Sequence, residues 1–85
     1  MNKRMVFGIQ VTNRAKNAGQ VQKILTDYGC NIRTRIGLHE VDDKVCSPSG
    51  LILLELYGKE HDILKMEETL KAIDGVIVQK MVFEC

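Results

Sequence analysis

The chain has 85 residues, 45% of them hydrophobic and 27% charged, a balance that excludes a disordered polymer and fits a single folded domain spanning residues 1–85. Twelve Lys and Arg against eleven Asp and Glu leave a formal net charge of +1, so no electrostatic footprint for nucleic acid or an anionic membrane exists, and direct nucleic-acid binding is not expected. The longest apolar stretch, Leu51 to Leu54, is too short to span a bilayer, and the basic Met1-Asn2-Lys3-Arg4 start leads into an alternating pattern, not a signal-peptide core; a cytoplasmic protein without membrane contact is expected.

Met5, Phe7, Ile9 and Val11 alternate with Val6, Gly8 and Gln10, the period of a half-buried first strand. Thr12-Asn13-Arg14 ends it. Asn13 or Asn17 can cap the helix that follows, because either side-chain carbonyl can accept from a free N–H of the first turn, and Asn17 with Gln20 resembles a capping box. The helix runs to Tyr28, with Ala18, Val21, Leu25 and Tyr28 as its apolar stripe and Gly29 as the left-handed residue that closes it. A second strand covers Ile32 to Leu38, with Ile32, Thr34, Ile36 and Leu38 on one side and Arg33, Arg35, Gly37 and His39 on the other. A polar loop with turn-forming Asp42-Asp43, Ser47-Pro48 and Gly50 extends from Glu40 to about Gly50. Leu51 to Tyr57 is the most apolar strand and suits a central place in the sheet. The second helix starts at Lys59 or Glu60 and ends at Ile73, with acidic Glu60 and Asp62 at its positive end and Asp74-Gly75 as its stop. Val76 to Phe83 forms the last strand, with Val76, Val78 and Val82 as its inward set.

The second helix repeats the first. Ile63, Met66, Leu70 and Ile73 stand 45 positions after Ala18, Val21, Leu25 and Tyr28, with the same steps of three, four and three. The chain is thus two β-α-β halves. The fold expected is α+β and ferredoxin-like, βαββαβ, with an antiparallel sheet of order 4-1-3-2 and both helices on one face, where right-handed crossovers put them. The opposite face is left open. Val6, Leu51, Leu53, Tyr57, Ile77, Met81 and Phe83 fall on it, too many apolar groups for a monomer in water, so a homo-oligomer through that face or a sheet edge is expected.

Chemistry is sparse. His39, Glu40, Asp42, Asp43 and Cys46 gather metal-capable side chains, and His39 with Cys46 is the candidate set for a transition metal. Arg33 and Arg35 point the same way along their strand and offer an anion-binding pair. The Thr12–Asn17 connection leads into a helix start whose free N–H groups can hold a carboxylate or phosphate, which makes Asn13, Arg14 and Asn17 the candidate ligand contacts, joined by Arg33 and Arg35 from the sheet. Cys30, Cys46 and Cys85 are an odd, widely spaced set, expected to be free thiols. No serine or cysteine has a recognisable base beside it. An acylphosphatase-type enzyme shares the element order, yet the glycine-rich phosphate loop of that family is absent after Val11, so no enzymatic activity is expected.

Arg14 after the first strand, Val21-x-x-Ile24-Leu25-x-x-Tyr28-Gly29, Arg35-Ile36-Gly37, Leu51 to Gly58 and Ile73-Asp74-Gly75-Val76 together resemble the ACT-like domains, and within them the small regulators of the iron-only hydrogenase system. The resemblance covers nearly the whole chain. It implies a stand-alone oligomeric module related in fold to the metal-binding domain of nickel-responsive repressors, with an amino acid or other small effector bound between subunits near the loop after the first strand. The expected function is a regulatory, ligand-sensing homo-oligomer; the alternative is an assembly subunit without a ligand.

Overall fold

The computed structural model describes residues 3–12, 18–41 and 46–84. Four strands and two helices follow one another as β1 (Lys3–Val11), α1 (Ala18–Asp27), β2 (Ile32–Val41), β3 (Cys46–Leu56), α2 (Glu60–Lys71) and β4 (Val76–Glu84). The strands form one antiparallel sheet in the order β2-β3-β1-β4, which is the ferredoxin-like arrangement expected from the sequence. Among the described residues no helix is long and apolar enough to cross a membrane.

The core forms where the two helix stripes meet one face of β1 and β3. Met5, Phe7 and Ile9 of β1, Leu54 and Leu56 of β3, Val21 and Leu25 of α1, and Ile63, Met66 and Leu70 of α2 are all buried. Ile73 completes the second stripe, while Tyr28 packs on the cluster from its margin. The register makes this possible. Met5 pairs with Leu56, Phe7 with Leu54 and Ile9 with Ile52, so the alternating apolar positions of two neighbouring strands share a side. Deleting a side chain such as Phe7 from a core of this kind costs about 3–5 kcal/mol.

The ends of the elements differ from the sequence reading in instructive ways. Gly29 is not the left-handed closure of α1: positive φ occurs at Gly58 and Gly75. The helix instead tightens through Tyr28 into a 3-10 turn over Gly29–Asn31, in which the Asn31 amide donates to the Tyr28 carbonyl at 2.8 Å and so satisfies an end carbonyl without a left-handed residue. Gly75, with φ 83°, does serve the turn after α2. The expected polar loop from Glu40 to Gly50 is shorter than read, since β2 continues to Val41 and β3 begins at Cys46. Beyond the Val11–Gly50 pair β3 has only β2 beside it, an edge environment that tolerates the missing N–H of Pro48. In β4, Val76 and Val78 are buried as expected, but Val82 is 42% exposed: β4 is an edge strand, and its burial ends after Val78.

Glu67 is the one buried charged side chain among the described residues, and it ties α2 to β4. Its carboxylate accepts from Lys80 Nζ at 3.0 Å and from Lys71 Nζ at 3.1 Å. Burial works to raise its pKa, yet the hydrogen bonds and charges of Lys80 and Lys71 together outweigh burial and hold it below the ordinary 4.5. A carboxyl depressed in the folded state contributes stability that is complete above the unfolded value and is lost as pH falls through the folded one. The urea midpoint should therefore fall below about pH 4.5, and Glu67→Gln should lower the midpoint at neutral pH while flattening that acid limb. An acid limb of unchanged steepness in Glu67→Gln would contradict this role.

Candidate functional site

The open face of the sheet is set by the same registers. Val6 pairs with Glu55 and Met81, Gly8 with Leu53 and Gln79, and Gln10 with Leu51 and Ile77. With no helix on this side, Met81 and Phe83 are each 53% exposed, Ile36 is 49% exposed and Ile77 48%. Ile36 was expected on the covered side. Its arrival here follows from a β-bulge between Ile32 and Thr34: Ile32 pairs with Leu56 and Thr34 with the next residue, Glu55, so one residue of β2 is extra and Thr34, Arg35 and Ile36 change face.

The bulge also parts the two arginines. Arg33, at the bulge, lays its guanidinium over the Tyr57 ring, 5.3 Å from the centroid. Arg35 pairs with Leu54, on the helix side, and its Nη2 donates to Gln22 Oε1 of α1. They do not point the same way and form no pair. Strict alternation from Ile32 fails at the bulge, and nothing in the residue types around Arg33 signals it.

Arg33 lies at the β1 start, in a cleft of about 320 Å³ that it shares with Lys3, Arg4, Glu55, Leu56, Tyr57 and Gly58. Lys3 Nζ is 3.0 Å from Glu60 Oε1, a carboxylate whose hydrogen bond and charge raise the lysine pKa. Arg4 Nε stands 3.7 Å from Glu55 Oε2, while Thr34 Oγ1 donates to Glu55 Oε1 at 3.2 Å. Asn31 fixes the Tyr57 backbone from both sides: its carbonyl accepts from the Tyr57 amide at 2.9 Å and its Nδ2 donates to the Tyr57 carbonyl at 3.2 Å. Gly58 follows with φ 102°.

The other end of β1 carries a smaller depression of about 240 Å³ around Thr12, Asp74, Gly75, Val76 and Ile77. There Thr12 Oγ1 donates to the Gly75 carbonyl at 2.8 Å, joining the end of β1 to the turn before β4. The candidate contacts Asn13, Arg14 and Asn17 belong to the chain just after Thr12 and lie outside the described residues. Eight strand steps, roughly 26 Å at the usual rise, separate the end of β1 from Lys3. For the metal candidates the backbone gives the register alone: His39 pairs with Gly50 and Cys46 with Val41, on the outer part of the β2–β3 hairpin. Asp42 and Asp43 lie outside the described residues. Among the described residues no three His, Cys, Asp or Glu side chains gather to hold a metal, and Cys30 is an exposed free thiol.

No family model matches the chain. No curated protein matches it in sequence either. Solved structures do. An uncharacterized protein from Thermotoga maritima is 26% identical over 94% of this chain and 96% of its own, with a TM-score of 0.79. A dimeric ferredoxin-like protein from an uncultured marine organism is 9% identical, with a TM-score of 0.54 over 98% of this chain and 94% of its own. CPII from Thiomonas intermedia, solved bound to ADP, AMP and acetate, is 14% identical, with a TM-score of 0.50 over 98% of this chain and 90% of its own. The last two share the ferredoxin-like fold with this chain.

Gly58 tests how the cleft is built. A Cβ there would sit 2.8 Å from Asn31 Nδ2 on a backbone that L residues rarely adopt. Gly58→Ala should destabilise the protein by about 1 kcal/mol or more, read as a lower urea midpoint. An unchanged midpoint would contradict the clamp between Asn31, Tyr57 and Gly58.

Proposed function

We propose that this chain is a non-catalytic regulatory module of ACT-like type that works in the cytoplasm as a homo-oligomer, its copies meeting through the open face of the sheet. The observation that carries this is the set of apolar side chains on the face without a helix: Ile77, Met81 and Phe83 on β4 and Ile36 on β2 at the opposite edge, each about half exposed. Exposed apolar groups in this number on one face mark association sites, and a small domain gains most by covering them. The dimeric state of the marine ferredoxin-like protein supports the reading, as does CPII bound to ADP, AMP and acetate, since both are built on the same fold.

The finer reading is a regulator of the iron-only hydrogenase system. It rests on the resemblance carried by Val21, Ile24, Leu25, Tyr28 and Gly29 in the first helix, Arg35-Ile36-Gly37 and Ile73-Asp74-Gly75-Val76. A regulator of this type acts by differential binding: an effector stabilises one packing of the subunits over another and so changes affinity for a partner. The effector is a small molecule held near Asn13, Arg14 and Asn17, or a transition metal at His39 and Cys46. Loss of the gene should alter hydrogenase activity in a host that has the enzyme; unaltered activity and transcript would remove the hydrogenase role and leave the oligomeric module.

Two outcomes check the coarser reading. Met81→Lys with Phe83→Lys places charges within the proposed contact and should convert the protein to single chains in sedimentation velocity, with the helical circular dichroism retained. An oligomer of unchanged size would exclude the open face as the contact. Nickel or zinc should raise the melting midpoint in proportion to the logarithm of its concentration once sites fill, and Cys46→Ser should abolish the rise. A midpoint indifferent to both ions removes the metal from the reading.

A further inference from the structure

Three backbone irregularities converge on one corner of the sheet: the bulge that presents Arg33, the 3-10 turn that ends at Asn31, and the left-handed Gly58. The stacking of two helices on the opposite face requires none of them. We propose that this corner is a binding site for a small organic oxyanion, a carboxylate or a phosphate ester, gripped by Arg33 with Lys3 and Arg4.

Charge is the first ground. Three cations, Lys3, Arg4 and Arg33, line the cleft with one carboxylate, Glu55, while Glu60 and Glu84 flank Lys3 outside it. The charge left unanswered is that of Arg33. Glu60 engages Lys3 at 3.0 Å, but Glu55 approaches Arg4 at 3.7 Å while accepting from Thr34, and among the described residues no carboxylate pairs with Arg33.

Geometry is the second ground. A guanidinium stacked on an aromatic ring keeps its N–H donors in the plane, away from the ring, where a carboxylate or phosphate can accept two of them side by side. Arg33 lies over Tyr57 with its guanidinium carbon 5.3 Å from the ring centroid, and the Tyr57 backbone is held in turn by Asn31 through both its amide and its carbonyl. This contact restricts the arginine before any ligand arrives, which lowers its ordering cost. Size is the third ground. A volume of about 320 Å³ exceeds the need of a bare oxyanion, and the half-exposed Tyr57 ring offers an apolar surface for an organic body. The cleft is complete within one chain, so the inference does not rest on the oligomer.

Titration of the ¹⁵N-labelled protein tests it, with inorganic phosphate, acetate, phenyl phosphate and benzoate as probes at constant ionic strength in chloride. The expected result is a saturable shift of the Arg33 Nε–H and of the Tyr57 and Gly58 amides, tighter for the two aromatic probes than for the inorganic ion and acetate. A tighter phenyl phosphate arm assigns the ligand as a phosphate ester, and a tighter benzoate arm as a carboxylate. Arg33→Gln should weaken binding by about tenfold or more, the scale of a lost charge-assisted hydrogen bond, whereas Arg35→Gln on the helix side should leave it unchanged. If Arg33→Gln does not fold, Arg4→Gln carries the same comparison. Shifts that never saturate, that spread over surface lysines, or that persist unchanged in Arg33→Gln mean an adventitious ion only and overturn the site. An oligomer that binds none of the probes sinks this site alone; a single chain that binds them sinks only the oligomer.

Discussion

Two helices covering the same face of a four-stranded sheet is the constraint from which the rest follows. Crossovers of this kind favour the right hand, which sets α1 and α2 on one side, and together they bury Met5, Phe7, Ile9, Leu54 and Leu56 beneath Val21, Leu25, Ile63, Met66 and Leu70. At roughly 25 cal/mol per Å² of apolar surface this one contact supplies most of the favourable free energy that a small domain can gather. The price is a second face with nothing above it. Glu67, buried and held between Lys71 and Lys80, pins α2 to the edge strand β4 and closes the covered layer on that side.

The uncovered face is not uniform. Its β4 side carries Ile77, Met81 and Phe83, its β2 side carries Ile36, and one corner carries Arg4, Arg33, Glu55 and Tyr57. The bulge in β2 creates this division. By inserting one residue between Ile32 and Thr34 it sends Arg35 to Gln22 on the helix side, brings Ile36 to the open face, and leaves Arg33 alone against Tyr57. A β2 without the bulge would have put both arginines on the open face and Ile36 on the covered one. The two proposed roles, association through the open face and oxyanion capture at the corner, thus depend on the same extra residue.

The pairing of strands and the covered core were legible in the sequence because each rests on a period: three, four and three in the helices, two in β1 and β3. The repeat of one stripe 45 positions after the other made the βαββαβ order readable before any coordinate. The bulge was not legible, since a single inserted residue leaves no compositional trace, and strict alternation from Ile32 assigned Arg35 and Ile36 to the wrong faces. Gly29 misled for a related reason: glycine permits a left-handed closure but does not compel one, and the 3-10 turn satisfied the helix end instead. Of the candidate site, Arg33 was legible as a residue and not as a place, because its partners Lys3, Arg4 and Tyr57 are joined to it only through strand register.

A fold that commits its helices to one side and keeps the other for contact suits a module whose signal is a change of packing between copies. The central claim, that a second copy covers the open face, is tested most directly by native mass spectrometry of the unaltered protein across a range of concentrations. The account predicts ions at integer multiples of the chain mass that persist on dilution. Ions of one chain alone at every concentration would contradict it.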